Sequence, residues 1–309
     1  MFLLYLFGIV VGMLIPIQTS INSRLSQFTR SSFYASTISF AVGTLFLVIL
    51  NIIMTPAIFS SDFYAHQTFN YTWFLGGLLG VCFLTGNLLL LPRLGAALTV
   101  VMTVAGQIIM GVLIDTFGWF GASTHTFSIL KGVGVIILFL GILLMNYIPK
   151  TKLTNSQNKA FIMWIIVGFI FGFAPPIQTT VNSALATSTH SSIFASLVSF
   201  TIGTIALFIL TLAFHRTLKI ESHIQTLGQL KPIYFIGGLL GMAFVTANII
   251  LMPFLGAALT TIVGMLGQML MGVIIDQFGL LGSPKNKITF RKCCGLLCIT
   301  IGIILLRLF

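Results

Sequence analysis

The chain has 309 residues, 57% of them hydrophobic and only 6% charged, with 15 Lys and Arg against 4 Asp and Glu for a net charge of +11. A soluble domain carries about 25% charged residues, so this chain lacks the polar side chains to cover a water-facing surface. The basic excess does not point to nucleic acid, because the Lys and Arg residues fall in short gaps between apolar runs, where such residues set membrane topology.

Ten apolar runs predict membrane helices over Phe2–Ile21, Phe33–Met54, Tyr71–Leu91, Leu94–Asp115, Ile129–Ile148, Ala160–Val181, Ile193–Phe214, Pro232–Leu251, Leu255–Asp276 and Cys293–Phe309. Each approaches the roughly 20 residues that cross about 30 Å of hydrocarbon. Helices are expected because unpaired backbone is too costly in lipid. The N-terminal run has no basic stretch before it and reads as a first span, not a cleaved signal. The segment Pro149–Lys159 is the most polar in the chain and reads as a cytoplasmic linker over 149–159 between a first unit, 1–148, and a second, 160–309.

When the connections are assigned alternately to two sides, one side receives thirteen basic residues, among them Arg24, Arg30, Arg93, Lys150, Arg216, Lys231 and Arg291, and the other only Lys131 and Arg307. The positive-inside rule then places both termini outside.

The sequence repeats itself. Pro16-Ile-Gln18-Thr-Ser-Ile-Asn22 returns as Pro176-Ile-Gln178-Thr-Thr-Val-Asn182, and Ala35 to Thr44 returns as Ala195 to Thr204, both at an offset of 160 residues. At an offset of 161, Gly76-Gly-Leu-Leu-Gly80 returns as Gly237-Gly-Leu-Leu-Gly241, Asn87 as Asn248, and Leu94 to Thr99 as Leu255 to Thr260. Gly106-Gln107 and Met110 to Asp115 return as Gly267-Gln268 and Met271 to Asp276. An odd number of spans per half obliges the second half to enter from the opposite face. The predicted fold class is therefore an all-α integral membrane protein of ten transmembrane helices in two inverted five-helix repeats. Charge agrees: Arg24 and Arg30 follow the first span while the matching gap, 183–192, has no Lys or Arg. Inverted repeats around a midplane site are transporter architecture.

Polar residues inside apolar runs usually face the bundle interior. The candidates for a substrate cavity are Gln18, Asn22, Asn87, Thr103 and Gln107 in the first half, with Gln178, Asn182, Asn248 and Gln268 in the second. Interhelical hydrogen bonding would use the same amides. Inversion puts Gln18, Asn22 and Asn87 toward the cytoplasmic side, and Gln178, Asn182 and Asn248 toward the outside, as two layers suited to alternating gates. Asp115 and Asp276 end polar stripes of four-residue spacing; they either couple transport to protons or cap helix ends. Ser39, Gly43, Gly80, Ser199, Gly203 and Gly241 form small-residue faces for close helix packing. No metal-ligand spacing, nucleophile motif or phosphate loop is present in the sequence, so no metal, no cofactor and no enzymatic activity is expected.

The G-x-x-x-P-x-Q-x-x-x-N runs (Gly12 to Asn22 and Gly172 to Asn182), the A-S-x-x-S-F-x-x-G-T runs and the L-G-A-A-L-T…G-Q…I-D-x-F-G runs resemble the YdcZ-like family of the drug/metabolite transporter superfamily, related to EamA-like transporters. The resemblance covers nearly the whole chain in both halves. It implies a multi-pass protein of a bacterial inner membrane that exports small organic molecules, with an ion gradient as driving force. It also implies a cavity between helices one to four and six to nine, with five and ten peripheral and open to a homodimer contact. The partners expected are the lipid bilayer and a small-molecule substrate. Two other readings are a flippase for a lipid or lipid-linked carrier, which should show basic residues in the cavity, and a non-transporting scaffold.

Overall fold

The computed structural model describes residues 2–65, 70–124, 128–145, 158–215, 218–226, 228–282 and 289–308. It is almost wholly helical: α1 (Phe2–Gly12), α2 (Leu14–Thr29), α3 (Ser32–Met54), α4 (Ser61–Ala65), α5 (Leu75–Phe117), α6 (Ile129–Met145), α7 (Asn158–Phe171), α8 (Ala174–Thr189), α9 (Ser192–Phe214), α10 (Gly237–Phe278) and α11 (Phe290–Leu308). A two-residue hairpin, β1 (His223–Ile224) with β2 (Gly228–Gln229), sits in the α9–α10 connection. Six helical runs in the described residues are long and apolar enough to cross a membrane, and Ile129–Leu144 is a shorter apolar helix.

Two span predictions need correction. The first and sixth spans are not single helices ending at Ile21 and Val181. Each breaks, between Gly12 and Leu14 and between Phe171 and Ala174, and then runs on to Thr29 or Thr189. The prolines explain the breaks. Pro16, Pro175 and Pro176 lie in the first turn of the second segment, where a missing N–H costs nothing, and the chain before them cannot continue the hydrogen-bond ladder. The predicted loop after the first span is therefore mostly helix, stopped by Arg30 in the left-handed conformation (φ 52°). His190 does the same after α8 (φ 52°). Ser31 and Ser191 follow and cap the next helices, accepting from the backbone N–H of Tyr34 and Phe194 at 3.2 and 3.1 Å.

The second correction concerns the third and fourth spans, and the eighth and ninth. Helical assignment continues through both connections, giving α5 and α10 of 43 and 42 residues. Neither is straight. Twelve residues of straight helix span about 18 Å, yet Leu90 and Met102 both lie beside Gly168. In α10, Gly264 lies beside Phe244 and Asn248 of its own helix, and the backbone leaves the helical region at Gly256 (φ 77°, ψ 172°), three residues after Pro253. Both therefore fold back on themselves near the middle.

Contacts between the halves come in reciprocal pairs. α3 and α9, which are repeat equivalents, pack antiparallel: Thr37 Oγ1 lies 2.8 Å from Thr211 Oγ1, Thr44 Oγ1 lies 2.9 Å from Thr204 Oγ1, and Asn51 donates to the Ile193 carbonyl at 3.3 Å. Thr44 and Thr204 are each other's repeat mates. Phe40 and Phe200, also mates, stack at 4.8 Å between ring centroids, each against the other half's glycine, Gly203 or Gly43. α6 and α11 pair antiparallel through Gly134, Gly141 and Gly302. The main apolar core gathers Val104 and Ile108 of α5, Leu138 of α6, Ile262 and Leu266 of α10 and Ile299 of α11.

The connections cap the opposite half. Ile58, Phe63 and Trp73, from the α3–α5 connection, pack on Leu185, Phe194 and Ile249. At the other end the α9–α10 connection grips the α2–α3 corner. Glu221 N–H donates to the Phe28 carbonyl at 2.9 Å, Arg30 pairs with Glu221 at 2.6 Å, and Tyr34 donates to the Leu218 carbonyl at 3.2 Å. We expect a cysteine-free background carrying Thr44→Cys and Thr204→Cys to form an intramolecular disulfide on mild oxidation. Thr44→Cys with Thr211→Cys, two turns out of register, should not; mobility on non-reducing gels reads both.

Candidate functional site

The nine candidate residues fall on both halves, at several levels along their helices. The structure sorts them into two mirrored interhelical clusters, a pair of self-bonded asparagines and a buried stripe. In the first cluster, Asn22 of α2 donates through Nδ2 to Ser39 Oγ of α3 at 3.2 Å. Its Oδ1 is buried without a hydrogen-bond partner and presses against the Cα of Gly237, where an added Cβ would overlap it. One turn earlier Gln18 lies over Gly241, its Nε2 2.5 Å from where a Cβ would stand.

The second cluster repeats this geometry in the other half. Asn182 of α8 donates to Ser199 Oγ of α9 at 3.2 Å, and Gln178 donates to the same oxygen at 3.4 Å. Asn182 is fully buried, and its Oδ1 is likewise unpartnered against Gly76. Gln178 covers Gly80. In each cluster the amides and serine come from one half and the glycines from the other. Glycine is required because the amide oxygen occupies the place of a side chain; Cα–H···O contact is the remaining partner for that oxygen.

Asn87 and Asn248 turn back on their own helices, donating to the carbonyls of Phe83 and Phe244 at 3.0 and 2.9 Å. Thr103 is buried and donates to the Thr99 carbonyl at 2.9 Å. Gln107 is also buried, at 8% exposure, so its amide faces protein and not lipid; Gln268 is half-buried. Thr99 and Thr260, which open the two stripes, are repeat mates with buried, unpartnered hydroxyls. The helix breaks sit against these stripes: Gly172 against the Thr103 carbonyl, and Gly12 against the Gly264 carbonyl.

Asp115 is buried at the end of α5 and reaches across to the other half. Its Oδ1 accepts from Ala257 N–H at 2.6 Å and its Oδ2 from Ala258 N–H at 2.9 Å. These are the first free donors after the Gly256 turn, so Asp115 caps the second arm of α10. The helix end it caps belongs to the other half. The side chain of Asp276 lies outside the described residues. Among those residues, no three His, Cys, Asp or Glu side chains gather as a metal would need.

Gly76, Gly77, Gly237 and Gly238 carry more of the geometry than the motif reading gave them. In the sequence they stand as members of the repeated Gly-Gly-Leu-Leu-Gly motif; the tertiary register sets Gly76 and Gly237 opposite Asn182 and Asn22, and Gly77 and Gly238 on the Ser199 and Ser39 carbonyls. Ser39 and Ser199, read as packing residues, are the acceptors for the buried amides. The sequence signal was present in the fixed spacing of seventeen residues between Asn22 and Ser39, and between Asn182 and Ser199.

The family model described as "Putative inner membrane exporter, YdcZ" matches residues 3–144 and again 163–305. The chain belongs to this family. It is a multi-pass inner membrane protein of an exporter family, and each half carries one copy of the family's repeat. No curated protein matches it. A solved structure titled "Crystal structure of protein" aligns over 99% of this chain and 96% of its own, with a TM-score of 0.67 at 13% identity; that likeness speaks to the fold alone.

Gly76→Ala places a methyl on Asn182 Oδ1 and should destabilise the protein by about 1–3 kcal/mol. Thermal unfolding in detergent should show a lower midpoint, restored in part by adding Asn182→Ala. Gly121→Ala, at a position with open space around it but a φ of 81°, should cost less, since no neighbour is displaced.

Proposed function

We propose that this protein is a secondary transporter that exports a small organic metabolite or drug-like molecule by alternating access between two inverted five-helix repeats. The observation that carries the reading is the antiparallel pairing of the repeat-equivalent helices α3 and α9, with Thr44 bonded to its own mate Thr204. Equivalent helices that run antiparallel across such a contact are related by a rotation about an axis perpendicular to them. Exchange of conformation between the halves then turns a state closed at one face into a state closed at the other.

The two amide clusters are the gates in this scheme. The Asn22–Ser39–Gly237 seam lies at the face of Arg30 and Glu221, which the charge bias makes cytoplasmic. The Asn182–Ser199–Gly76 seam lies at the opposite face. Each seam joins one half to the other through contact of an amide oxygen with a glycine Cα, since the amide hydrogen bonds to Ser39 and Ser199 stay within one half; such C–H···O contacts are worth about 0.5–1 kcal/mol apiece. Seams of that strength open at a cost that substrate binding can meet. The buried stripes carrying Gln107 and Gln268 lie between them and supply neutral hydrogen-bonding groups, which suits an uncharged or amphipathic substrate.

Asp115 ties the end of α5 to the α10 turn, so it couples the two halves directly. Protonation turns one carboxyl oxygen into a hydroxyl donor, a much poorer acceptor, and so weakens the paired acceptance from Ala257 and Ala258. Proton binding at Asp115 would loosen this tie, and that is the route by which a proton gradient would drive the cycle.

Proteoliposomes loaded with a metabolite panel test the reading. Wild type should move at least one compound, faster with a pH gradient than without. Gln107→Ala should reduce that flux about tenfold or more, and Asp115→Asn should abolish its dependence on the gradient. Absence of flux for every compound, with lipid analogues scrambled instead, would favour a flippase.

A further inference from the structure

The two connections that cap the opposite halves are held by different chemistry, and nothing in the transport reading uses the difference. At the face that the charge bias makes cytoplasmic, the α9–α10 connection of the second half lies over the α2–α3 corner of the first. The contacts there are polar. Glu221 meets the Arg30 guanidinium at 2.6 Å and gives its backbone N–H to the Phe28 carbonyl at 2.9 Å. Tyr34 donates to the Leu218 carbonyl at 3.2 Å, and His215 Nε2 donates to the Thr29 carbonyl at 3.1 Å. The Arg30 side chain is 74% exposed and that of Glu221 36%, so water and salt reach the pair.

At the opposite face the contacts are apolar. Ile58, Phe63 and Trp73 of the α3–α5 connection pack on Leu185 and Phe194, and the rings of Phe63 and Phe194 meet edge to face at 5.5 Å. Phe194 is the repeat mate of Tyr34, and His190 the mate of Arg30. The hydroxyl that bonds Leu218 on one side is missing on the other, and a buried ring stands in its place.

Each connection leads straight into the glycine of a seam. The α9–α10 connection ends in the 3₁₀ turn Pro232–Phe235, which lies on α2, with the rings of Tyr234 and Phe28 5.6 Å apart. Gly237 follows at once, bearing on Asn22 Oδ1. Holding this connection on the α2–α3 corner therefore holds Gly237 at its seam. In the mirrored arrangement Trp73 comes shortly before Gly76, which bears on Asn182 Oδ1.

Taking the two seams as gates, we propose that the α9–α10 connection is a releasable ionic clasp on the cytoplasmic gate, whereas the α3–α5 connection is an apolar lock on the outer one. Exposed ion pairs are weak and are screened by salt. Apolar contact has no charge to screen. Loss of the Arg30–Glu221 contact frees the connection, and Gly237 then leaves Asn22. The cytoplasmic face opens under conditions that keep the outer face shut.

Pulsed electron paramagnetic resonance on the full chain in lipid nanodiscs tests this, in a cysteine-free background. Labels at Gln27→Cys and Ile233→Cys report the distance from α2 to the start of α10; labels at Thr187→Cys and Tyr71→Cys report the mirrored distance. All four positions are exposed. Ionic strength is raised from about 0.01 to about 1 M, over which the Debye length falls from about 30 to about 3 Å. In wild type the cytoplasmic pair should gain a longer-distance population while the outer pair stays unchanged. Glu221→Gln, which keeps the backbone N–H on Phe28, should show that population at low salt and no longer respond to salt. Arg30→Glu with Glu221→Arg should restore the short distance at low salt. Phe63→Ala should lengthen the outer pair at every salt concentration. If Phe63→Ala moves the outer pair but the cytoplasmic pair ignores both salt and Glu221→Gln, the clasp is wrong and the gates stand. If neither pair moves in any variant, the gates are wrong and the clasp falls with them.

Discussion

Backbone-to-backbone contact between the two halves is the constraint on which this molecule rests. Lipid tails are as apolar as leucine, so hydrophobicity does not drive one membrane helix onto another; close packing and interhelical hydrogen bonds do. The halves therefore meet where side chains are absent. Gly238 lies on the Ser39 carbonyl and Gly77 on that of Ser199; Gly106 lies on the Phe169 carbonyl and Gly267 on that of Ile9. Every one of these contacts has a repeat mate, so the interface is specified twice with the same few residues.

That constraint also places the polar groups. Once the backbones touch at Gly76 and Gly237, an asparagine on the facing helix can lay its amide across the crossing and reach a serine on its own half. The arrangement leaves a carbonyl oxygen unpaired in each seam, which makes the seam weaker than a fully bonded one. The helix breaks near Gly12 and Gly172 lie beside these contacts, so segments on either side of a break need not move as one body. Asp115 supplies the opposite quality: one side chain accepting from two backbone donors, joining the halves where α10 turns.

Much of this was legible in the sequence because a duplication prints its own evidence. The ordered return of the proline–glutamine–asparagine, alanine–serine and glycine motifs gave the two units, and the polar stripe from Thr99 to Asp115 gave an inward face. What composition could not supply was the partner of each group. Asn87 and Asn248 look like Gln18 and Asn22 in a one-dimensional list, yet their amides donate to carbonyls of their own helices. The helix breaks were readable in principle from Pro16 and Pro175, but hydropathy runs straight through Gly12–Leu14 without a dip. The apolar runs part between Leu91 and Leu94 and between Leu251 and Leu255, and the contacts at Gly168 and Gly264 are what show the chain folding back there.

The ring of Phe171 lies on Gly86, whereas the repeat mates of these two residues are Val11 and Ala247. A pair of identical subunits meeting about a twofold axis must carry the same residues on both faces, so any change appears twice. Joining the subunits in one polypeptide lifts that obligation. Thr246 has kept its serine while the hydroxyl of its mate Thr85 is buried with no partner; Arg30 has gained Glu221 where the other corner has His190. Drift of this kind lets the two end states of a moving protein differ in energy, and a machine whose end states are unequal rests in one of them until something pushes it out.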